Sequence, residues 1–324
     1  MWCFCHSDYV RLLSPPDFSL RGRAQWEFRQ ATLLERDKQV PLVDILSRGR
    51  ISLDARIRGS TRPSTFRVAD LLSILLEYPP MPVETFAAQV EMIKDLTHDV
   101  RQLDLRLIAP KTITFKPGQF VSFEVFHPQS GHVVTRPYSI ASQPSRSDVI
   151  TLLFNLVPGG PGSTYLFNLK EGDKTHFKGP AGNFYLRDDP NRELLFIGTG
   201  TGIAPIRSML LANVERPDAR PATLFWGLRG QRDLYYQEEL AELTRRTPTL
   251  TAITTLSRPE PGWSGLSGRV LRLIEERIVS VKSLAVYLCG NSAMIADATS
   301  LLQKKGLCPI YREKYYDDTG SPED

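Results

Sequence analysis

The stretch Gly198-Thr199-Gly200-Thr201-Gly202-Ile203-Ala204-Pro205 constrains the fold more than any other part of the chain. The residues before it, 193–197, read E-L-L-F-I, the unbroken apolar run of a parallel strand covered on both faces. Those after it place Pro205 in a first helical turn, where a missing N–H breaks no bond, and Ile206, Met209, Leu210 and Val214 on one helical face. Glycines at such a junction let the backbone turn tightly and let a phosphate approach the main chain. The free N–H groups of the helix N-terminus then offer donors and the positive dipole end. A dinucleotide pyrophosphate fits Gly200, Thr201 and Gly202. The spacing G-x-G-x-G departs from G-x-G-x-x-G, so by itself the stretch is also readable as a mere turn, and its neighbours must decide.

A chain of 324 residues has room for two or three domains. Its 41% hydrophobic and 23% charged residues are ordinary for a globular protein, with no apolar run near 18 residues and no signal-peptide pattern. A net charge of +4 gives no reason to expect nucleic-acid binding but suits an acidic protein partner. The four cysteines, Cys3, Cys5, Cys289 and Cys308, are too scattered for a disulfide framework, which fits a reducing cytoplasm.

Residues 1–82 carry eleven arginines and one lysine and end in Tyr78-Pro79-Pro80-Met81-Pro82, a stiff linker and a natural boundary. Short strands are expected within 39–57 and a helix over 66–76. Cys3, Cys5 and His6 lack the second half that a zinc site requires, so no metal is expected. The arginines suit a solvated or partner-facing surface.

From Val83 the texture changes to alternating strands over 86–93, 100–107 and 118–125, separated by turns such as Lys116-Pro117-Gly118, which predicts an antiparallel barrel. Then comes Arg136-Pro137-Tyr138-Ser139-Ile140-Ala141-Ser142. In an extended segment, which Pro137 itself favours, Arg136 and Tyr138 share a face. An arginine for phosphate, an aromatic for a flat ring and a hydroxyl for a ring nitrogen meet the needs of a flavin nucleotide. A surface arginine beside a core tyrosine is the competing reading. Beyond a further strand over 152–157, Pro158-Gly159-Gly160-Pro161-Gly162-Ser163-Thr164-Tyr165-Leu166 opens a short helix with glycines and hydroxyls, a second candidate phosphate site. Gly179-Pro180-Ala181-Gly182-Asn183-Phe184 is expected to close the barrel with a turn.

R-P-Y-S, G-G-x-G-S-x-Y-L, G-P-x-G and G-T-G-T-G-I-A-P, in that order, make the chain resemble the ferredoxin–NADP reductase superfamily over roughly residues 83–316. The resemblance implies an antiparallel β-barrel FAD-binding domain over 83–189 and a doubly wound parallel-sheet NAD(P)-binding domain over 190–316. A small N-terminal domain (1–82) and an acidic tail (317–324) complete an organisation that mixes α+β and α/β. Flavin contacts are implied for Arg136, Pro137, Tyr138, Ser139, Phe154, Gly162, Ser163 and Thr164.

After the glycine turn the βα pattern repeats, with strands over 222–226, 250–256 and 284–288 and helices through Glu238-Glu239-Leu240 and over 293–304. Its ligand lies across the carboxyl ends of the strands. Cys289, before Gly290, sits at such an end and reads as a small core residue; the resemblance places it beside the nicotinamide. Ser257-Arg258 and Gly268-Arg269 suit the 2′-phosphate of NADP, although NADH-using oxygenase reductases carry similar stretches; Arg229 is a further candidate for holding the nucleotide. Arg312-Glu313-Lys314-Tyr315 resembles the plant-type reductase terminus, which implies Glu313 near the nicotinamide and Tyr315 over the flavin. Here the chain runs on to Asp324, which the plant-type pattern does not.

The resulting expectation is an NAD(P)H oxidoreductase with FAD, taking hydride from NADPH (NADH as alternative), with Ser139, Cys289 and Glu313 at the reacting rings. Its electrons go to a ferredoxin or flavodoxin. Two alternatives are the NADH-dependent reductase of an oxygenase system and a flavin-binding adaptor that docks a partner through residues 1–82. An internal plant-type iron–sulfur cluster needs C-x4-C-x2-C, which this chain lacks.

Overall fold

The computed structural model describes residues 84–128 and 130–314, together with the backbone of four short strands between residues 32 and 66. The chain divides into two compact units, Met1–Pro82 and Val83–Asp324. In the first, β1 (Thr32–Glu35) pairs antiparallel with β2 (Lys38–Pro41), and β3 (Leu53–Ala55) with β4 (Ser64–Phe66). The helix expected over 66–76 and the Cys3-Cys5-His6 cluster lie outside the described residues.

The second unit opens with β5 (Glu84–Asp95), β6 (Val100–Ala109), β7 (Phe120–His127), β8 (His132–Ser139), β9 (Val149–Asn155) and, after helix α1 (Pro161–Asn168), β10 (Lys174–Ala181). They form one antiparallel sheet in the order β8-β7-β10-β5-β6-β9, and a bridge between Ile140 and Leu152 brings its two ends together. Period-two alternation points Phe86, Ala88 and Val90, Leu103 and Leu105, and Val121, Phe123 and Val125 into one core. The turn expected over 179–184 starts later: residues 179–181 end β10, which lies between β7 and β5, and the chain leaves the strand only at Gly182, φ +102. Gly179 is needed there because a Cβ would stand 2.9 Å from Val121 Cγ1.

The remainder is a six-stranded parallel sheet in the order β14-β13-β12-β11-β15-β16. Its strands are β11 (Glu193–Thr199), β12 (Ala222–Leu228), β13 (Leu250–Leu256), β14 (Leu266–Ser267), β15 (Leu284–Gly290) and β16 (Ile310–Lys314). Helices α2 (Ile203–Val214), α3 (Gln237–Arg246), α4 (Val270–Arg277) and α5 (Ser292–Lys304) connect them. Alternate residues of the buried strands feed two cores. Leu194, Phe196, Leu224 and Trp226 join α2 and α3 on one face, whereas Leu195, Ile197, Phe225 and Val286 join α4 and α5 on the other. From β11 the chain moves outward through β12 and β13, then returns to place β15 on β11's other side. That reversal leaves a crevice at the carboxyl ends of β11 and β15. Strand β16, read from sequence only as a terminal motif, is the sheet's sixth strand.

Candidate functional site

One half of the site is built on β8. Arg136 and Tyr138 share a face of that strand, and the start of α1 packs on them so closely that a Cβ on Gly162 would lie 2.8 Å from Arg136 Cγ and nearer still to the Tyr138 hydroxyl. Only glycine fits there. Thr164 N–H makes the first bond of that turn, to Gly160 O at 3.0 Å. The amides of Gly162 and Ser163 precede it and precede any intrahelical partner. No side chain caps this helix. Arg136 Nε is buried without a hydrogen-bond partner, a donor that a buried environment leaves unsatisfied only at a price in stability. A phosphate oxygen would satisfy it, so these residues fit a flavin nucleotide. The Ser163 hydroxyl accepts from Val157 N at 3.0 Å and donates to Gly160 O at 3.2 Å, so it shapes this turn. Phe154 is buried and meets Tyr138 edge-on, with ring centroids 5.6 Å apart, so it braces the ring that would carry the flavin. Pro137 points to the opposite, exposed face, and Thr164 is exposed.

The other half is the glycine turn. Gly200 adopts φ +53 with open space where a side chain would be, and Gly202 would drive a Cβ to 2.7 Å from the carbonyl carbon of Cys289. Gly290, at φ +148, sits against Thr199. The turn is steadied by Trp226, whose Nε1 donates to Gly200 O at 3.0 Å, and by Thr201, whose hydroxyl donates to Asn155 Oδ1 of the barrel at 3.3 Å. Sequence reasoning missed both partners. A tryptophan in a buried strand needs an acceptor for its N–H, which was the available signal for Trp226; Asn155 had none.

The halves meet where β8 ends. Ser139 Oγ donates to Glu313 Oε2 at 3.2 Å across 174 residues of chain. Glu313 on β16 is in register with Cys289 on β15, which is itself in register with Gly198 on β11. The structure thus brings Ser139, Glu313 and the Cys289 backbone together beside the turn. The Cys289 side chain is fully buried in the core. Burial pushes the Glu313 carboxyl up to about 7, against the opposing hydrogen bond from Ser139. Between the usual carboxylate range and about 7 the folded chain holds a proton that the unfolded chain has released. Stability contributed here therefore falls as pH rises through that window. Melting curves across it should show wild type losing stability relative to Glu313→Gln by about 1.4 kcal/mol per pH unit at most. Parallel pH profiles would contradict the assignment.

Further along the carboxyl edge, Ser257 N donates to Leu228 O at 2.9 Å and Arg258 N to Arg229 O at 2.7 Å. Gln231 and Glu260 exchange two hydrogen bonds of 3.0 and 2.8 Å that tie the same loops. Gly268 N bonds Leu256 O at 2.8 Å, which brings Arg269, the N-cap residue of α4, to this edge. Arg229, Ser257, Arg258 and Arg269 are all exposed there. Tyr315 lies outside the described residues.

Residues 87–185 match the oxidoreductase FAD-binding domain family and residues 196–300 the oxidoreductase NAD-binding domain family. The chain is 32% identical over 238 residues to the ferredoxin–NAD(P)(+) reductase component of the naphthalene 1,2-dioxygenase/salicylate 5-hydroxylase systems of Ralstonia sp, covering 72% of this chain and 70% of that protein. It is 33% identical over 219 residues to ferredoxin–NADP reductase B of Sorangium cellulosum, covering 66% of this chain and 89% of that one. The crystal structure of Amycolatopsis cytochrome P450 reductase GcoB superposes with a TM-score of 0.65 at 29% identity, covering 72% of this chain and 70% of that one. With an FAD-binding barrel, an NAD(P)-binding sheet and relatives of this identity and coverage, the chain belongs to the ferredoxin–NADP reductase superfamily and is an NAD(P)H-dependent flavoprotein reductase.

Proposed function

We propose that this reductase takes hydride from NADPH and delivers electrons singly to a ferredoxin- or flavodoxin-type protein or an oxygenase component, in the cytoplasm. The observation that carries the reading is the Ser139–Glu313 hydrogen bond, which joins the barrel strand bearing Arg136 and Tyr138 to the sheet bearing the glycine turn. Bound FAD supplies the exchange between two-electron and one-electron chemistry. The protein's residues hold and orient. Arg136 and the α1 amides take the pyrophosphate, Tyr138 offers its ring to the flavin, and Pro137 keeps their strand extended. Ser139 reaches toward the flavin's reacting edge, and Glu313, with its carboxyl proton held to near neutrality, stands where a proton can be exchanged. Gly200, Thr201 and Gly202 receive the nicotinamide dinucleotide, and Cys289 and Gly290 back its ring. Tyr315 over the flavin and the domain limits 1–82, 83–189, 190–316 and 317–324 are part of the same proposal.

The protein acceptor is supported by the relatives, two of which are named ferredoxin–NAD(P) or ferredoxin–NADP reductases. The cytoplasmic setting is supported by Cys308, which forms no disulfide among the described residues. Among the described residues no helix is long and apolar enough to cross a membrane. Ferricyanide reduction by the purified yellow protein, repeated with purified ferredoxins and flavodoxins, tests the whole reading. A colourless protein that takes up no added FAD would end it.

The preference for NADPH rests on Arg258 and Arg269, both exposed at the carboxyl edge of the sheet. Arg258→Ala should raise KM for NADPH several-fold with little change in kcat, because the contact is made equally in ground and transition states. NADH kinetics should barely change. A wild type that prefers NADH, or equal losses with both nucleotides, would refute it.

A further inference from the structure

The barrel and the parallel sheet also meet along a polar seam that neither cofactor site uses. Arg207, on α2 five residues beyond Gly202, donates from Nη1 to Ala141 O at 2.7 Å and forks Glu239 of α3 through Nε at 2.6 Å and Nη2 at 2.9 Å. Its neighbour Ser208, fully buried, donates to Ser142 O at 2.6 Å. Ala141 and Ser142 lie two and three residues after Ser139 on the same segment. The guanidinium lies 5.0 Å from the Tyr236 ring centroid, and the Tyr236 hydroxyl donates to Gln102 Oε1 of β6 at 2.8 Å. Gln102 in turn donates to Asp104 at 3.1 Å. Tyr236 is the N-cap residue of α3 and stands at φ 55, a left-handed backbone that a bulky residue keeps only where its surroundings hold it.

Around these bonds the seam is apolar. Val100, Ala141, Leu153 and Phe184 of the barrel share one core with Ile206, Met209 and Leu210 of α2. Burial of that kind holds surfaces together without fixing their direction, whereas a forked, charge-assisted arginine fixes both distance and angle. The path from Ser139 to Gly202 follows the segment to Ala141, crosses the Arg207 hydrogen bond and returns along α2.

We propose that Arg207, held by Glu239 and Tyr236, is a positioning residue for hydride transfer, setting segment 139–142 against the glycine turn through Ala141. The proposal rests on the reading in which Ser139 and that turn face the two reacting rings. Hydride transfer demands near-contact geometry, and a misplacement on the order of 1 Å slows such steps about 100-fold.

The test compares holoprotein of wild type, Arg207→Gln, Tyr236→Phe and Ser139→Ala. FAD content, KM for NADPH, stopped-flow flavin reduction, the long-wavelength nicotinamide–flavin absorbance and hydrogen exchange over 139–142 and 200–208 are measured. Arg207→Gln should retain FAD and keep KM within about twofold, yet reduce its flavin about 10- to 100-fold more slowly, with weaker long-wavelength absorbance and faster exchange in both segments. Tyr236→Phe, which removes one hydrogen bond and keeps the ring, should shift all these readouts the same way by less. It decides the matter if Arg207→Gln does not fold. Wild-type reduction and exchange in these variants, with Ser139→Ala slow, would overturn the positioning role alone. A wild-type rate in Ser139→Ala would overturn it together with the site reading beneath it.

Discussion

Arg136→Ala should bind FAD about 10- to 150-fold more weakly than wild type, the equivalent of losing one charge-assisted hydrogen bond of roughly 1.5–3 kcal/mol. The size follows from the site. Arg136 Nε is buried and unpartnered, so a phosphate that reaches it gains a full contact with little competition from water. The variant should fold, because Arg136 is only partly buried and the barrel core lies beneath its strand. Gly162→Ala should act in the same direction, since its added methyl displaces Arg136 or Tyr138. Equilibrium dialysis or fluorescence titration of the apoprotein with FAD measures both. An Arg136→Ala protein with wild-type affinity would return that residue to an ordinary surface arginine.

Gly202→Ala should nearly abolish flavin reduction by the nicotinamide, by about 100-fold or more, while leaving FAD bound. The added Cβ would fall 2.7 Å from the carbonyl carbon of Cys289 and 3.1 Å from Gly290 N, which are backbone atoms of a central strand and have no rotamer into which to retreat. Either the turn lifts off the crevice or β15 moves, and β15 carries the register that holds Glu313 opposite Cys289. Stopped-flow reduction by NADPH is the direct measurement. The melting temperature should fall as well, by the several degrees that a strained close contact produces in a domain of this size. Near-normal reduction would show that the nucleotide does not lie on this turn.

Much of the molecule was legible before folding because its signals are local. The run 193–197, the glycines at 198, 200 and 202 and Pro205 give strand, turn and helix within thirteen residues, and the structure builds β11 and α2 from them. Arg136 and Tyr138 share a face through strand alternation alone. Strand β10 was hidden because Gly179 and Pro180, both weak strand formers, end a segment in which only Thr175, Phe177 and Gly179 are buried. Strand β16 was hidden by its half-exposed residues Ile310–Lys314, an edge strand with one neighbour.

By itself, then, the sequence determined which segments turn and which run buried, because glycine geometry and hydrophobic period act over a few residues. Only the tertiary structure decided that Ser139 would meet Glu313, that Gly202 would close on Cys289 and that Arg207 would seize Ala141. Those contacts depend on the crossover that sets β15 beside β11 and on the barrel's docking against α2, and neither is written in any local period of the chain. They arise when separately readable elements must share one core, and that shared burial selects a single register among many.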